Sequence, residues 1–318
     1  MTTKNVAFIG LGAMGLHMAR NIVKGGHRVT GFDLSASACE AFATSGAKIA
    51  DSAAQAAADA DIVITMLPRA QHIRAALTGD QGVLKTLSKQ AVFINMSTVL
   101  PQETDELAAL LAQNGIAMVD APVGRSAMEA ERGALLILAS GTQAAKDAVR
   151  EVLLCMGNEI IDCGEVGGGS RVKVVNNFMG ISLNALTAEA LTLAEASGLS
   201  IELALQVMRG TIAGMGHMNI TYPNKVLRGD LSPGFVVDLA HKDLGLALEM
   251  AARNNASVPM GAAAYQSYTA ARAHGRGGQD YSAIYPYMRE VAGLPETIPY
   301  VERSELNANP FGSAKRAA

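Results

Sequence analysis

Val6-Ala7-Phe8-Ile9-Gly10-Leu11-Gly12-Ala13-Met14-Gly15, read together with Asp33, decides the fold. Val6 to Ile9 is a continuous apolar run of strand length, and Leu16 to Lys24 continues with helical character. Arg28 to Phe32 reads as a second strand with Asp33 at its end. Each glycine in the Gly10-x-Gly12-x-x-Gly15 spacing has a physical task. Gly10 permits a tight turn, Gly12 admits a pyrophosphate close to the backbone, and Gly15 lets helix pack on strand. The helix start adds unpaired N–H groups and the positive end of a dipole. A carboxylate at Asp33 accepts hydrogen bonds from ribose hydroxyls and repels a 2′-phosphate, which favours NAD over NADP. Strand, helix, second strand and acidic residue all fall in place, so Gly10, Gly12, Ala13, Gly15 and Asp33 are expected to bind NAD.

The 318 residues are enough for two domains with sizeable cores. An apolar share of 49% against 17% charged is that of an ordinary globular protein, and a net charge of −3 argues against a nucleic-acid partner. Cys39, Cys155 and Cys163 have neither metal-ligand nor redox spacing, so they are expected as buried thiols in a reducing compartment. No apolar run reaches bilayer-spanning length, and the first strand begins without a basic leader. A cytoplasmic protein without a membrane partner is expected.

Up to residue 164, short strands alternate with helices. Further predicted strands are Ile62–Met66, Val92–Asn95, Met118–Asp120, Leu135–Ala139 and Glu159–Ile161, with helices such as Ser52–Ala58, Ala70–Ala76 and Glu103–Gln113 between them. That alternation implies an α/β fold, a Rossmann-type doubly wound sheet, over residues 1–164. The character changes at Gly164-Glu165-Val166-Gly167-Gly168-Gly169. Ser170 to Ser197 is long and apolar, with only Arg171, Lys173, Glu189 and Glu195 charged, as suits a helix running between domains or subunits. Helices at Ile201–Arg209, Val236–Asn254 and Met260–His274 complete an all-α domain over 165–293. Residues 294–318, with Pro295, Pro299 and Pro310, read as an extended tail.

A second polar constellation is Gly167-x-Gly169-x-x-x-Lys173-x-x-Asn176-Asn177. On a helix, Lys173 and Asn177 share a face. A lysine on an apolar helix loses hydration, which lowers its pKa toward neutrality and fits it to exchange protons. The two amides can orient that ammonium or hold a substrate hydroxyl. A snorkelling lysine beside two structural asparagines has the same spacing, and the residues alone leave both readings open.

With these motifs in view, the chain resembles the β-hydroxyacid dehydrogenase family, which includes 3-hydroxyisobutyrate dehydrogenase and tartronate semialdehyde reductase. The resemblance is carried by Gly10-Leu-Gly-Ala-Met-Gly-Leu-His-Met-Ala-Arg-Asn21, Ser97-Thr98-x-x-Pro101, Asp120-Ala121-Pro122-Val123, the Lys173 motif, and Lys242-Asp243-Leu244-Gly245-Leu246-Ala247. It implies an NAD-dependent oxidoreductase acting on CH–OH, without a metal. It further implies that Lys173 is the acid/base supported by Asn177, and that Met14, Leu67, Thr98 and Lys242 contact the cofactor. From the residues alone, Leu67 is a strand-end turn and Lys242 a solvated charge.

Common members of that family continue Asp-Ala-Pro-Val with Ser-Gly-Gly, whereas this chain has Gly124-Arg125-Ser126. A guanidinium presents a planar fork of donors suited to a carboxylate or another oxyanion. A surface arginine on a loop is the plain alternative. The local sequence is similar to the sulfolactaldehyde reductase branch of the family. So are Arg171 to Asn177, Gly214-Met-Gly-His217, Pro223 to Leu227 and Ala240 to Leu244. That similarity implies that Gly124, Arg125, Ser126 and the segment Asn176, Asn177 to Gly180 bind substrate, with Arg125 as the anion anchor.

The expected reaction is reversible reduction of a short anionic semialdehyde, foremost 3-sulfolactaldehyde, to 2,3-dihydroxypropane-1-sulfonate. Arginine binds carboxylates as readily, so succinic semialdehyde/4-hydroxybutyrate, 3-hydroxyisobutyrate and tartronate semialdehyde/glycerate stay as alternatives. A non-catalytic dinucleotide sensor is a further one, against which Lys173 and Asn177 speak. His217 and His241 are read as structural, Glu129 to Arg132 as a solvated face, and Met208, Met215 and Met218 as packing. The long apolar helix needs burial, which implies a homodimer or homotetramer.

Overall fold

The computed structural model describes residues 2–196, 198–210, 217–253, 258–298 and 300. Six strands, β1 (Asn5–Ile9), β2 (Arg28–Phe32), β3 (Lys48–Ile49), β4 (Ile62–Thr65), β5 (Val92–Asn95) and β6 (Ala117–Asp120), form one parallel sheet in the order β3-β2-β1-β4-β5-β6. Val6–Ile9 and all of β4 and β5 are buried on both faces, which is why they read as unbroken apolar runs. Alternation along β1 supplies two cores. Val6 and Phe8 pack with Ile62 and Ile64 on one side, Ala7 and Ile9 with Val63 and Phe93 on the other. The order turns about β1, so the crevice for a ligand lies at the carboxyl ends of β1 and β4.

The crossovers are α1 (Gly15–Lys24), α2 (Ala36–Ala43), α3 (Ala53–Ala57), α4 (Ala70–Thr78) and α5 (Pro101–Gln113). Their starts are locally encoded. Ser35 and Ser52 accept from Ala38 and Gln55 N–H at the caps of α2 and α3. In α5, Pro101 takes the first turn, where its missing N–H costs nothing, and Glu103 reaches back to Leu100 N–H at 3.0 Å.

A second sheet follows, built from β7 (Val123–Gly124), β8 (Leu135–Ala139) and β9 (Gly157–Asp162) with α6 (Ala127–Glu131) and α7 (Gln143–Met156) between them. β7 and β8 are antiparallel, β8 and β9 parallel. A bridge between Asp120 and Ser140 ties the end of β6 to the end of β8. The two-residue strands β3 and β7 carry no periodicity, so nothing in the sequence marks them. Glu129 and Glu131, expected on a solvated face, lie on α6, and Ser126 caps that helix.

The remainder is helical: α8 (Gly168–Ala196), α9 (Ile201–Arg209), a π-helical turn at His217–Thr221, α10 (Tyr222–Asn224), α11 (Val237–Arg253), α12 (Pro259–Ala271) and α13 (Ile284–Val291). Among the described residues no strand follows α8, only a bridge between Val236 and Asp280. The chain divides into two compact units, Met1–Asn176 and Asn177–Ala318, with the division inside α8. The second unit's core joins Leu191, Leu205, Tyr222, Leu244, Tyr268 and Tyr285. Gly261 admits Phe178, whose ring atom stands 2.2 Å from where a Cβ would be. Arg289 pairs with the buried Glu195 and donates to Pro295 and Thr297 carbonyls at 2.8 and 3.0 Å, which holds the start of the expected tail. Pro299 and residues 301–318 lie outside the described residues. No described helix is long and apolar enough to cross a membrane.

Candidate functional site

At the end of β1, Gly10 has φ +100°, and a Cβ there would stand 2.3 Å from Met66 O. At Gly15 it would stand 1.9 Å from Gly10 O. Chain packing alone therefore demands those two glycines. Gly12 is different: a Cβ there would meet nothing within 4 Å. The space beside its backbone is open, room enough for a dinucleotide pyrophosphate to approach. Gly12 and Ala13 are exposed, Met14 is half-buried, and α1 starts without a side-chain cap or an acidic residue in its first turn. Its N–H groups are thus suited to a phosphate.

Asp33, half-buried at the end of β2, accepts from Leu11 N–H at 2.7 Å and Ser35 N–H at 2.8 Å. It clamps the glycine loop as well as offering a carboxylate. Leu67 follows β4, donates its N–H to the buried Ser97 Oγ at 2.8 Å, and lies against Gly10. Thr98, half-buried, is next to Ser97 beyond β5. Gly10, Asp33, Leu67 and Thr98 therefore gather at the carboxyl ends of β1, β2, β4 and β5.

Arg125 stands between β7 and the cap of α6 at φ +75°, the one non-glycine residue with positive φ among those described. An L-residue in that conformation costs about 1–2 kcal/mol. Its guanidinium donates to Ala134 O (2.6 Å), Asn158 Oδ1 (2.6 Å) and Glu159 Oε2 (2.8 Å). None of these partners was marked by the sequence. The flanking residues are fixed from both sides. Gly124 pairs with Leu136 in the sheet, and Ser126 exchanges hydrogen bonds with Glu129, whose carboxyl is held below its usual value chiefly by the Ser126 hydroxyl. Asn21, the last residue of the glycine motif, is buried and donates to Ala130 O at 2.6 Å, which ties α1 to α6.

The start of α8 is held at unusually close range. A Cβ on Gly168 would stand 2.0 Å from Cys163 O, and one on Gly169 would stand 2.4 Å from Leu138 O. Asp120, fully buried at the end of β6, accepts from Ser170 N–H at 2.7 Å and Ser170 Oγ at 2.8 Å. Ser140 Oγ accepts from Gly169 N–H at 3.0 Å. Lys173, half-buried, is three residues beyond Ser170, and the exposed Asn176 follows it.

Burial raises the Asp120 carboxyl to about 6, against the hydrogen bonds from Ser170 and Ser140 that favour its charge. The folded chain thus binds this proton more tightly than the unfolded chain. The stabilisation is complete at low pH and is lost as pH rises from about 4 through about 6, roughly 3 kcal/mol in all. Asp120→Asn has no such proton. Relative to this variant, the native protein is expected to lose about that much unfolding free energy between pH 4 and pH 7. Parallel denaturant profiles for the two would refute this.

In the second unit Asn177 Nδ2 donates to Asp243 Oδ2 at 2.5 Å, and Lys242 Nζ pairs with Asp243 Oδ1 at 2.9 Å. Because a carboxylate only accepts, the amide nitrogen of Asn177 must face it, which defines where its carbonyl oxygen points. Gly180 O accepts from His217 Nε2 at 2.6 Å, and burial lowers that imidazole's pKa. His241 stacks on Tyr265 and bonds to Thr269. Gly214 to Gly216 lie outside the described residues. The sequence reading missed Asp120, Ser140, Glu159 and Asp243. Only Asp120 and Asp243 had a signal, through their places in motifs. Among the described residues no cluster of His, Cys, Asp and Glu is placed to hold a metal ion.

Comparison with known proteins bears on both units. Residues 5–165 match the family described as the NAD binding domain of 6-phosphogluconate dehydrogenase. Residues 167–288 match the family described as NAD-binding of NADP-dependent 3-hydroxyisobutyrate dehydrogenase. The chain is 48% identical over 293 residues to 3-sulfolactaldehyde reductase of Escherichia coli (strain K12), covering 92% of this chain and 98% of that protein. It is 37% identical over 291 residues to 2-(hydroxymethyl)glutarate dehydrogenase of Eubacterium barkeri, covering 91% and 96%. The solved structure of Mycobacterium tuberculosis 3-hydroxyisobutyrate dehydrogenase with L-serine has a TM-score of 0.83 at 34% identity, covering 91% of this chain and 100% of that one.

Proposed function

Because the chain belongs to the 3-hydroxyisobutyrate dehydrogenase-like family of NAD-dependent oxidoreductases acting on CH–OH groups, we propose that it interconverts 3-sulfolactaldehyde and 2,3-dihydroxypropane-1-sulfonate. What carries the reading of an anionic substrate is Arg125. A charged residue stands in a left-handed position that glycine fills at no cost, and such strain is kept where the side chain has a task. The choice of a sulfonate over a carboxylate rests on the 48% identity to a 3-sulfolactaldehyde reductase.

Gly10, Gly12, Ala13, Met14, Gly15, Asp33, Leu67, Thr98 and Lys242 would hold the dinucleotide, which would supply or take up a hydride, and Asp33 would favour NAD. In the reductive direction Lys173 stabilises charge growing on the aldehyde oxygen and donates a proton to it, leaving a neutral amine. In the oxidative direction the neutral amine takes the hydroxyl proton. Asn177, held with its amide nitrogen on Asp243, supports the acid/base. Arg125, with Gly124, Ser126, Asn176 and Gly180, holds the remote anion, so that binding energy aligns the reacting carbon. Anion capture at Arg125 exchanges Glu159 for substrate. The pair is solvent-exposed, so the exchange costs about 0–1 kcal/mol.

The test is NAD reduction with 2,3-dihydroxypropane-1-sulfonate beside 3-hydroxyisobutyrate, glycerate and 4-hydroxybutyrate. The sulfonate is expected to lead by about a hundredfold in kcat/KM, about 2.7 kcal/mol of transition-state preference. A carboxylate in the lead sinks the sulfonate reading and keeps Lys173. The protein is further expected to be a homodimer or homotetramer in the cytoplasm. Val172, Val175, Met179 and Leu186 are exposed at helical spacing along α8, an apolar stripe of the kind that self-association buries. A monomeric mass by light scattering would rule this out.

A further inference from the structure

We infer that Asp120 is a positioning residue for the proposed acid/base: it sets the location of Lys173 by fixing the first turn of α8 to the end of β6. The inference rests on the role proposed for Lys173. Its basis is a set of contacts that all act on the same three residues, Gly168, Gly169 and Ser170. The Asp120 carboxylate takes both the N–H and the hydroxyl of Ser170. Ser140 Oγ, itself within 3.3 Å of Asp120 Oδ2, takes the N–H of Gly169. Thr104 on α5 bonds to Ser170 Oγ at 2.9 Å, so the hydroxyl is held from two sides. Gly168 and Gly169 permit an approach to Cys163 O and Leu138 O that any side chain blocks.

An ordinary helix start asks for much less than this. One serine or asparagine satisfies an orphan N–H without burying a charge. Here a carboxylate is fully buried, although burial penalises its charge, and it makes two bonds to one residue. A helix is stiff over one turn, so displacing Ser170 displaces Lys173 by a similar amount. Misplacing a reacting group by 1 Å can cost on the order of a hundredfold in rate. The glycine loop, Asp33 and the anion anchor Arg125 lie on other elements, and Asn176 and Gly180 stand beyond Lys173 on α8, so the loss falls chiefly on kcat.

The experiment compares Asp120→Asn, Lys173→Ala and the double variant, measuring kcat, KM, NADH dissociation constant and Tm for each. Asp120→Asn is expected to lower kcat about tenfold or more, with KM and NADH affinity within about twofold of native. In the Lys173→Ala background the same change is expected to cost less than about twofold in residual turnover, because the group it positions is gone. An equal loss in both backgrounds, a native kcat in Asp120→Asn, or KM and NADH affinity shifting along with kcat overturns the inference. Near-native turnover of Lys173→Ala overturns the lysine reading and this inference together; an inactive Lys173→Ala beside a native-like Asp120→Asn overturns this one alone. Should Asp120→Asn not fold, Ser140→Ala serves instead. It removes the acceptor of Gly169 N–H, and a kcat loss of about threefold or more at unchanged KM and NADH affinity is expected; an unchanged kcat overturns the inference.

Discussion

Lys173→Ala is expected to lower kcat by at least about a hundredfold while NADH still binds within about twofold of native affinity. General acid–base catalysis by one placed side chain contributes about 10²–10⁴. Lys173 also meets charge growing on the substrate oxygen, so the loss belongs at the upper end of that range. The glycine loop and Asp33 lie on other elements and keep their own contacts, among them Leu11 N–H to Asp33 at 2.7 Å. Stopped-flow or steady-state turnover beside NADH fluorescence titration reads both quantities. Near-native turnover removes the lysine from the mechanism. Lost NADH affinity would instead place it in cofactor binding.

Arg125→Gly is expected to cut kcat/KM for the anionic substrate by about 10–100-fold, as hydrogen bonds to charged groups are worth about 1.5–3 kcal/mol. For an uncharged short aldehyde the loss should stay below about threefold. Glycine is the informative replacement because the backbone at 125 has φ +75°. It relieves the left-handed strain, about 1–2 kcal/mol, in return for more unfolded-chain freedom and a weak exposed ion pair with Glu159. The variant should therefore hold or gain Tm while losing substrate, the pattern of a residue kept for function at some expense in stability. Equal losses on charged and uncharged substrates would show that Arg125 does not read the anion. A large drop in Tm would recast it as structural.

Much of the first unit was legible because its signals are local. A buried strand, a glycine turn and an amphipathic helix each leave a pattern within about ten residues, and β1, α1 and β2 lie where that pattern puts them. Helix α9 matches its expected limits, Ile201–Arg209, for the same reason. Two-residue strands leave no pattern, so β3 and β7 emerged only through their partners. The glycine run at 167–169 was visible as a motif, yet its cause was not. It exists because Cys163 O and Leu138 O approach where side chains would be.

The sequence by itself determined the doubly wound sheet, the glycine loop with Asp33 at the end of the next strand, the long helix bearing Lys173 and the anomalous arginine at 125. The first three follow from periodicity, from spacing within one element, or from residue type, and the arginine stands out against the family that the chain resembles. Only the tertiary structure decided that Arg125 stands in a left-handed conformation on Glu159, that Asn177 turns its amide to Asp243, and that Asp120 holds the start of α8. Those partners are 34, 66 and 50 residues apart along the chain. A contact made by folding across such distances depends on how strands and helices stack, and no local pattern of residues encodes it.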